Sequence, residues 1–190
     1  MILKCFQKLT KKQVNKNHFF NIFSKGYNGA KGTMKINCSA QFAYDILTDS
    51  TKIPLWDPSC KKSREIEKVC EEGEIFYLQF TANATLVSDR SFIIKKQKGK
   101  IDDLFVINVQ SIDDQFADKK AKDDSYYTVR GRLIWGGFVI KPIDDENCLM
   151  HYLGLVDPSG WIPVSVVNWK TKDAPLCLKN VEKLLKENKK

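Results

Sequence analysis

Four short apolar segments follow one another between residues 61 and 111: about Lys61–Val69, Glu74–Thr81, Ser91–Lys98 and Leu104–Ser111. Turn-forming residues punctuate them, among them Glu71-Glu72-Gly73, Lys98-Gly99-Lys100 and, after the last, Asp113-Asp114. A parallel connection needs a crossover of about a dozen residues, usually helical. The spacing here leaves no room for one, so the segments are predicted to form an antiparallel sheet. The last third extends the pattern. Tyr126 to Trp135 reads as a strand, Gly136-Gly137 interrupts it, Phe138 to Ile143 resumes it, and Cys148 to Val156 is another apolar run. Asp157-Pro158-Ser159-Gly160-Trp161-Ile162-Pro163 is a turn with an aromatic at its tip. From Val164 to about Lys189 the period becomes helical, with Ala174, Cys177, Leu178, Val181, Leu184 and Leu185 on one stripe. A sheet running into a hinged amphipathic helix predicts a container with a lid.

The preceding segments fit one α+β domain spanning residues 1–190. Ile2, Phe6, Leu9 and Val14 fall on one face at helical spacing and predict a helix packed on the body of the domain. His18 to Lys25 and Thr33 to Cys38 read as a hairpin joined by a glycine-rich turn, Gly26 to Gly32. That turn lacks the Gly-Lys-Ser/Thr ending of a phosphate loop. Ser39 is placed as an N-cap for a short helix carrying Phe42, Ala43, Ile46 and Leu47. Lys52 to Ser59 is a compact loop or single turn.

Composition excludes some classes. The 43% hydrophobic and 28% charged content is that of an ordinary globular domain, and no stretch approaches the ~18 uncharged apolar residues of a membrane span. No secretory signal is visible. Cys5, Cys38, Cys60, Cys70, Cys148 and Cys177 contain no Cys-x-x-Cys spacing, so free thiols in a reducing compartment are expected. The net charge of +8 resides entirely in the first 38 residues, which hold eight lysines and no acid. Such a footprint suits an anionic membrane surface. Nucleic acid would be attracted too, but the chain lacks basic and aromatic residues interleaved on one strand face.

Nothing in the sequence composes a catalytic or metal centre. His18 and His151 are isolated, and no nucleophile elbow, zinc helix or Walker loop occurs. The acidic pairs, such as Asp102-Asp103 and Asp144-Asp145, fall in turns. No enzyme activity, cofactor or metal is expected. Strand alternation sorts Phe76, Leu78 and Phe80 from Ile75, Tyr77 and Gln79, and places Tyr127, Val129, Gly131, Leu133 and Trp135 on one face. Arg90 alternates with Phe92 and Ile94. An arginine in register with an apolar face needs an anionic partner. A carboxylate of the protein or a ligand phosphate would serve.

Three motifs, in this order, carry a family resemblance. They are Trp56-Asp57, Val87-Ser88-Asp89-Arg90-Ser91-Phe92, and the turn Asp157 to Pro163 followed by Val167-Asn168-Trp169 and Ala174-Pro175. With them the chain resembles the StAR-related lipid-transfer (START) domain. The resemblance implies a helix-grip fold, in which a curved antiparallel sheet wraps a long C-terminal helix and encloses one lipid. It implies that Arg90 faces the tunnel and can meet a headgroup; the family's usual Asp after that arginine is here Ser91. The candidate lipid-contacting residues are then Arg90, Tyr77, Gln79, Phe105, Tyr127, Trp135, Tyr152 and Val167. Trp161, Ile162 and Pro163 are candidates for the lid and for membrane contact. The expected partners are a phospholipid or other lipid ligand and a transient, anionic membrane surface, with no nucleic acid. The expected state is a monomer, cytoplasmic and peripheral at membranes. A sensor for sterol or another hydrophobic ligand, signalling through a protein partner, is the alternative.

Overall fold

The structure is a computed structural model and describes residues 18–24, 27–84, 86–112, 127–162 and 176–188. Eight strands form one antiparallel path: β1 (His18–Ser24), β2 (Tyr27–Ile36), β9 (Cys148–Asp157), β8 (Arg132–Pro142), β6 (Leu104–Ser111), β5 (Asp89–Ile101), β4 (Gly73–Phe80) and β3 (Cys60–Cys70). A short β7 (Thr128–Arg130) pairs with the start of β5 and runs parallel to it. Helices α1 (Ala40–Thr48) and α2 (Ile53–Trp56) sit between β2 and β3, separated by a 3-10 turn at Ser50–Lys52, and α3 (Cys177–Asn188) closes the described chain. This is the expected α+β helix-grip.

Local chemistry accounts for the helices. The Ser39 hydroxyl accepts from the Phe42 amide at 3.2 Å and caps α1, which buries Ala40, Ala43 and Leu47 on one face. Pro54 lies in the first turn of α2, where its missing N–H costs nothing. On α3 the buried stripe is Cys177, Leu178, Val181, Leu184 and Leu185, as the periodicity predicts. Its outer face carries the pairs Lys186–Glu182 at 3.0 Å and Lys183–Glu187 at 4.0 Å. The expected helical start at Val164 and the N-terminal helix lie outside the described residues.

Two expectations about glycine give way. Gly29 and Gly32 belong to β2, where they pair with Leu155 and Tyr152 of β9, so the hairpin turn is shorter than expected. Glycine lowers strand propensity, but a strand paired on both sides overrides it. Gly136 and Gly137 do not interrupt β8 either. Gly137 takes φ +137°, and a Cβ there would lie 1.9 Å from the Ile107 carbonyl oxygen.

The segment from Tyr126 to Trp135 is not one strand. Gly131 separates β7 from β8, and a Cβ at that position would lie 2.6 Å from the Phe92 ring. A register shift between Leu133 and Trp135 then puts Leu133 opposite Val156 and Trp135 opposite Leu155. The two side chains therefore fall on opposite faces of the sheet.

Candidate ligand cavity

The concave face of the sheet is filled at one end by α1, where Tyr44 meets Phe105 with ring centroids 5.1 Å apart. Elsewhere the face remains open as a cavity of about 770 Å³, well within the range of small-molecule sites. Its sheet wall is apolar, with Phe76, Leu78 and Phe80 on β4, Phe92 and Ile94 on β5, and Phe138 on β8. Space comes from a row of small residues: Ala30 pairs with Gly154, and Gly154 with Gly136, across β2, β9 and β8. All three line the cavity. The start of α3, with Leu176 and Cys177, forms another side, and the segments 81–83 and 157–162 contribute to its edge.

Polar groups sit at separate places on this surface. Arg90, 8% exposed, donates from Nε to the Pro158 carbonyl at 2.7 Å and from Nη2 to the Ser159 carbonyl at 3.1 Å, while Nη1 donates to the Ser88 carbonyl. Burial pulls its pKa below the ordinary guanidinium value, and neighbouring Asp89 works against that shift. The Asp89 carboxylate is itself engaged by Lys61 at 2.9 Å and Gln79 at 3.2 Å. Lys96, 3% exposed, donates to the Thr48 carbonyl, to Ser50 Oγ at 2.6 Å and to Glu74. Its three ammonium donors are thus spent on holding the 3-10 turn to the sheet. Burial lowers its pKa, against the opposing pull of Glu74. Asp57 borders the cavity and accepts from the Ser59 amide and hydroxyl at 3.0 and 2.6 Å.

The candidates from the sequence divide accordingly. Arg90, Tyr152 and Ile162 line the cavity. Tyr77 and Gln79 do not, because Phe76, Leu78 and Phe80 take the concave side and the alternation sends Tyr77 and Gln79 to the other. There the Tyr77 ring lies 5.3 Å from the Arg64 guanidinium. Phe105 is buried beneath α1, outside the cavity. The bulge turns Trp135 onto the convex face against Val139 and Leu153. Tyr127 is 77% exposed and Trp161 80% exposed, the latter on the turn at the cavity edge. Val167 and Pro163 lie outside the described residues. Phe80 and Phe92 were the recoverable omissions, since Phe80 is the cross-strand partner of Arg90 and therefore shares its face. Trp56 and Phe138, packed edge to face at 5.7 Å, had no comparable local signal.

Among the described residues no cluster of three or more His, Cys, Asp or Glu could hold a metal ion. Cys177 lines the cavity, but burial raises its thiol well above the usual range. Burial likewise pushes the Cys60 thiol up to about 12. His151 lies on the opposite face of the sheet, where Nδ1 is 3.0 Å from Thr33 Oγ1. Among the described residues no helix is long and apolar enough to cross a membrane.

An antiparallel sheet gripping a helix around an apolar cavity is the helix-grip architecture, and the family model of the START domain matches residues 12–190. The chain belongs to the START domain family. Human StAR-related lipid transfer protein 5 superimposes with a TM-score of 0.78 at 14% identity, covering 100% of this chain and 94% of that one. Human STARD10 gives 0.74 at 20% identity, covering 96% and 77%. Among curated proteins, the acetyl-coenzyme A thioesterase of Rattus norvegicus is 28% identical over 127 residues, 66% of this chain. The match spans only 22% of the rat protein's length.

Proposed function

We propose that this domain carries one lipid, a glycerophospholipid, between membranes without chemically changing it. The supporting observation is a largely apolar cavity with a buried arginine at its edge whose hydrogen-bond acceptors, among the described residues, are backbone carbonyls. Acyl chains would fill the apolar part, each buried methylene contributing about 0.8 kcal/mol. The phosphate would lie towards Arg90, whose planar donors suit it. Within the family the chain resembles phosphatidylcholine transfer protein, a likeness that would favour a phospholipid over a sterol. Trp161 and Ile162 would meet the membrane, since indole favours the interface. The basic N-terminal lysines favour anionic surfaces.

A second reading draws on the rat thioesterase. The match to a fifth of a larger enzyme suits a ligand-sensing unit attached to a catalytic part, with occupancy altering a protein contact. In either case the domain itself would not hydrolyse thioesters, because burial holds the Cys177 thiol protonated and His151 lies on the other face. The deciding experiment is vesicle-to-vesicle transfer of labelled phospholipids by the purified chain, with native mass spectrometry of what co-purifies. Rapid transfer supports the carrier. One tightly held ligand with little transfer supports the sensor. Absence of both bound lipid and transfer overturns both readings, and acetyl-CoA hydrolysis above background would overturn the non-enzymatic assignment.

A further inference from the structure

Arg90 joins two parts of the molecule that a carrier must coordinate. It leaves the start of β5 inside the cavity wall, and two of its hydrogen bonds end on the closing turn, at the Pro158 and Ser159 carbonyls. A third returns to Ser88, beside its own strand. A guanidinium has five N–H donors, so two remain, one on each terminal nitrogen. All three acceptors are neutral carbonyls. The adjacent carboxylate, Asp89, points elsewhere and is already taken by Lys61 and Gln79. Asp157 anchors the turn to the sheet opposite Arg132, and the Ser159 amide donates to Asp157 Oδ1 at 2.9 Å, within the turn itself. Ser159 takes φ +52°, a left-handed conformation that costs a non-glycine residue, while Gly160 at φ +64° adopts it freely.

We propose that Arg90 makes closure of the turn conditional on an anion in the ligand. This rests on the lipid-carrier reading and adds a selection rule to it. A buried cation whose hydrogen-bond acceptors are all neutral, and whose charge is offset only through space by Asp89, is incompletely compensated. A phosphate in the cavity accepts from the two unused N–H groups, completes the guanidinium's partners, and fixes the side chain in the orientation that holds Pro158 and Ser159. The turn then stays shut over its cargo. A neutral lipid of the same shape fills the apolar space but leaves Arg90 with only the through-space field of Asp89, and the turn more easily released. Discrimination between the two lies in how long the cargo is kept as well as in how tightly it binds.

The test compares two probes that differ only in the phosphate: dihexanoyl phosphatidic acid and dihexanoylglycerol. Amide hydrogen exchange over residues 157–162 reports opening of the turn, and native mass spectrometry reports occupancy in the same samples. With phosphatidic acid, exchange across the turn is expected to slow at least about tenfold relative to the diacylglycerol complex, the scale of one added charge-assisted hydrogen bond. Arg90→Met removes the difference while the cavity still takes the diacylglycerol. Arg90→Lys, which keeps the charge but loses the fork, serves if the methionine variant does not fold; it is expected to bind phosphatidic acid without slowing the turn. Equal slowing by both lipids in the wild-type chain, or faster exchange with phosphatidic acid, overturns the proposal and leaves the carrier reading standing. Failure of either lipid to occupy the cavity overturns both.

Discussion

Single residues fix both the shape of the cavity and its chemistry. At Gly137 the strand passes so close to β6 that a Cβ would sit 1.9 Å from the Ile107 carbonyl oxygen, at φ +137°. Gly137→Ala cannot be absorbed by a side-chain movement and should cost about 3 kcal/mol or more, read as a lower urea midpoint or as loss of folded protein. His151 is 3% exposed, and burial, with Lys31 and Lys141 nearby, lowers its pKa to about 4. In the unfolded chain it titrates near ~6.5. Between those values the unfolded chain binds a proton that the folded one refuses, so stability falls as pH falls. Linkage puts the loss at about 2 kcal/mol between pH 7 and pH 5. Urea melts of wild type and His151→Gln should diverge over that window; parallel pH profiles would sink the assignment. Alternation with Phe92 and Ile94 put Arg90 on an apolar face, and the family resemblance turned that face towards the cavity. Tyr77 could not be placed by alternation, because alternation separates two faces without saying which is concave.

At the level of elements, the antiparallel order and the closing helix followed from spacing and periodicity. The exceptions arose where pairing partners overrode a local signal. Glycines in β2 read as a turn because glycine is a poor strand former, yet β1 and β9 hold them in register. The bulge between Leu133 and Trp135 defeated the face assignment, since one extra residue inverts every side chain beyond it. The stripe on α3 was more secure because it needs no partner to define its face. It also carries a direct prediction. Leu185 is 1% exposed within the main core, so Leu185→Ala should destabilise by about 2–4 kcal/mol. Lys183, on the opposite face with its side chain 78% exposed and its nearest carboxylate 4.0 Å away, should tolerate alanine with little change in the same denaturation assay.

For the whole molecule, the distribution of charge and of exposed apolar groups bears on how cargo would be delivered. A carrier that binds lipid firmly still has to open at the right surface, so membrane contact and ligand affinity must be separable. Trp161 offers that separation: it is 80% exposed, lies on the turn that Arg90 ties down, and does not itself line the cavity. Leu86, 97% exposed with φ +68°, projects from the loop between β4 and β5, whose residues Asn83 and Val87 do line it. Loss of one indole from the interface removes about 1.5–3 kcal/mol of apolar burial, which should slow vesicle-to-vesicle transfer by roughly tenfold. Trp161→Ala should leave occupancy, measured by native mass spectrometry, unchanged. Of the eight lysines in the first 38 residues, Lys31 is buried; the others would add a salt-sensitive attraction, so anionic vesicles should accelerate transfer at low ionic strength and lose that advantage as salt shortens the screening length. Combining the variant with the salt series separates the two contributions. If the indole inserts and the lysines only steer, Trp161→Ala slows transfer by the same factor at every salt concentration. A defect that vanishes at low salt would mean that electrostatic adhesion suffices and that the turn's aromatic tip has no part in delivery.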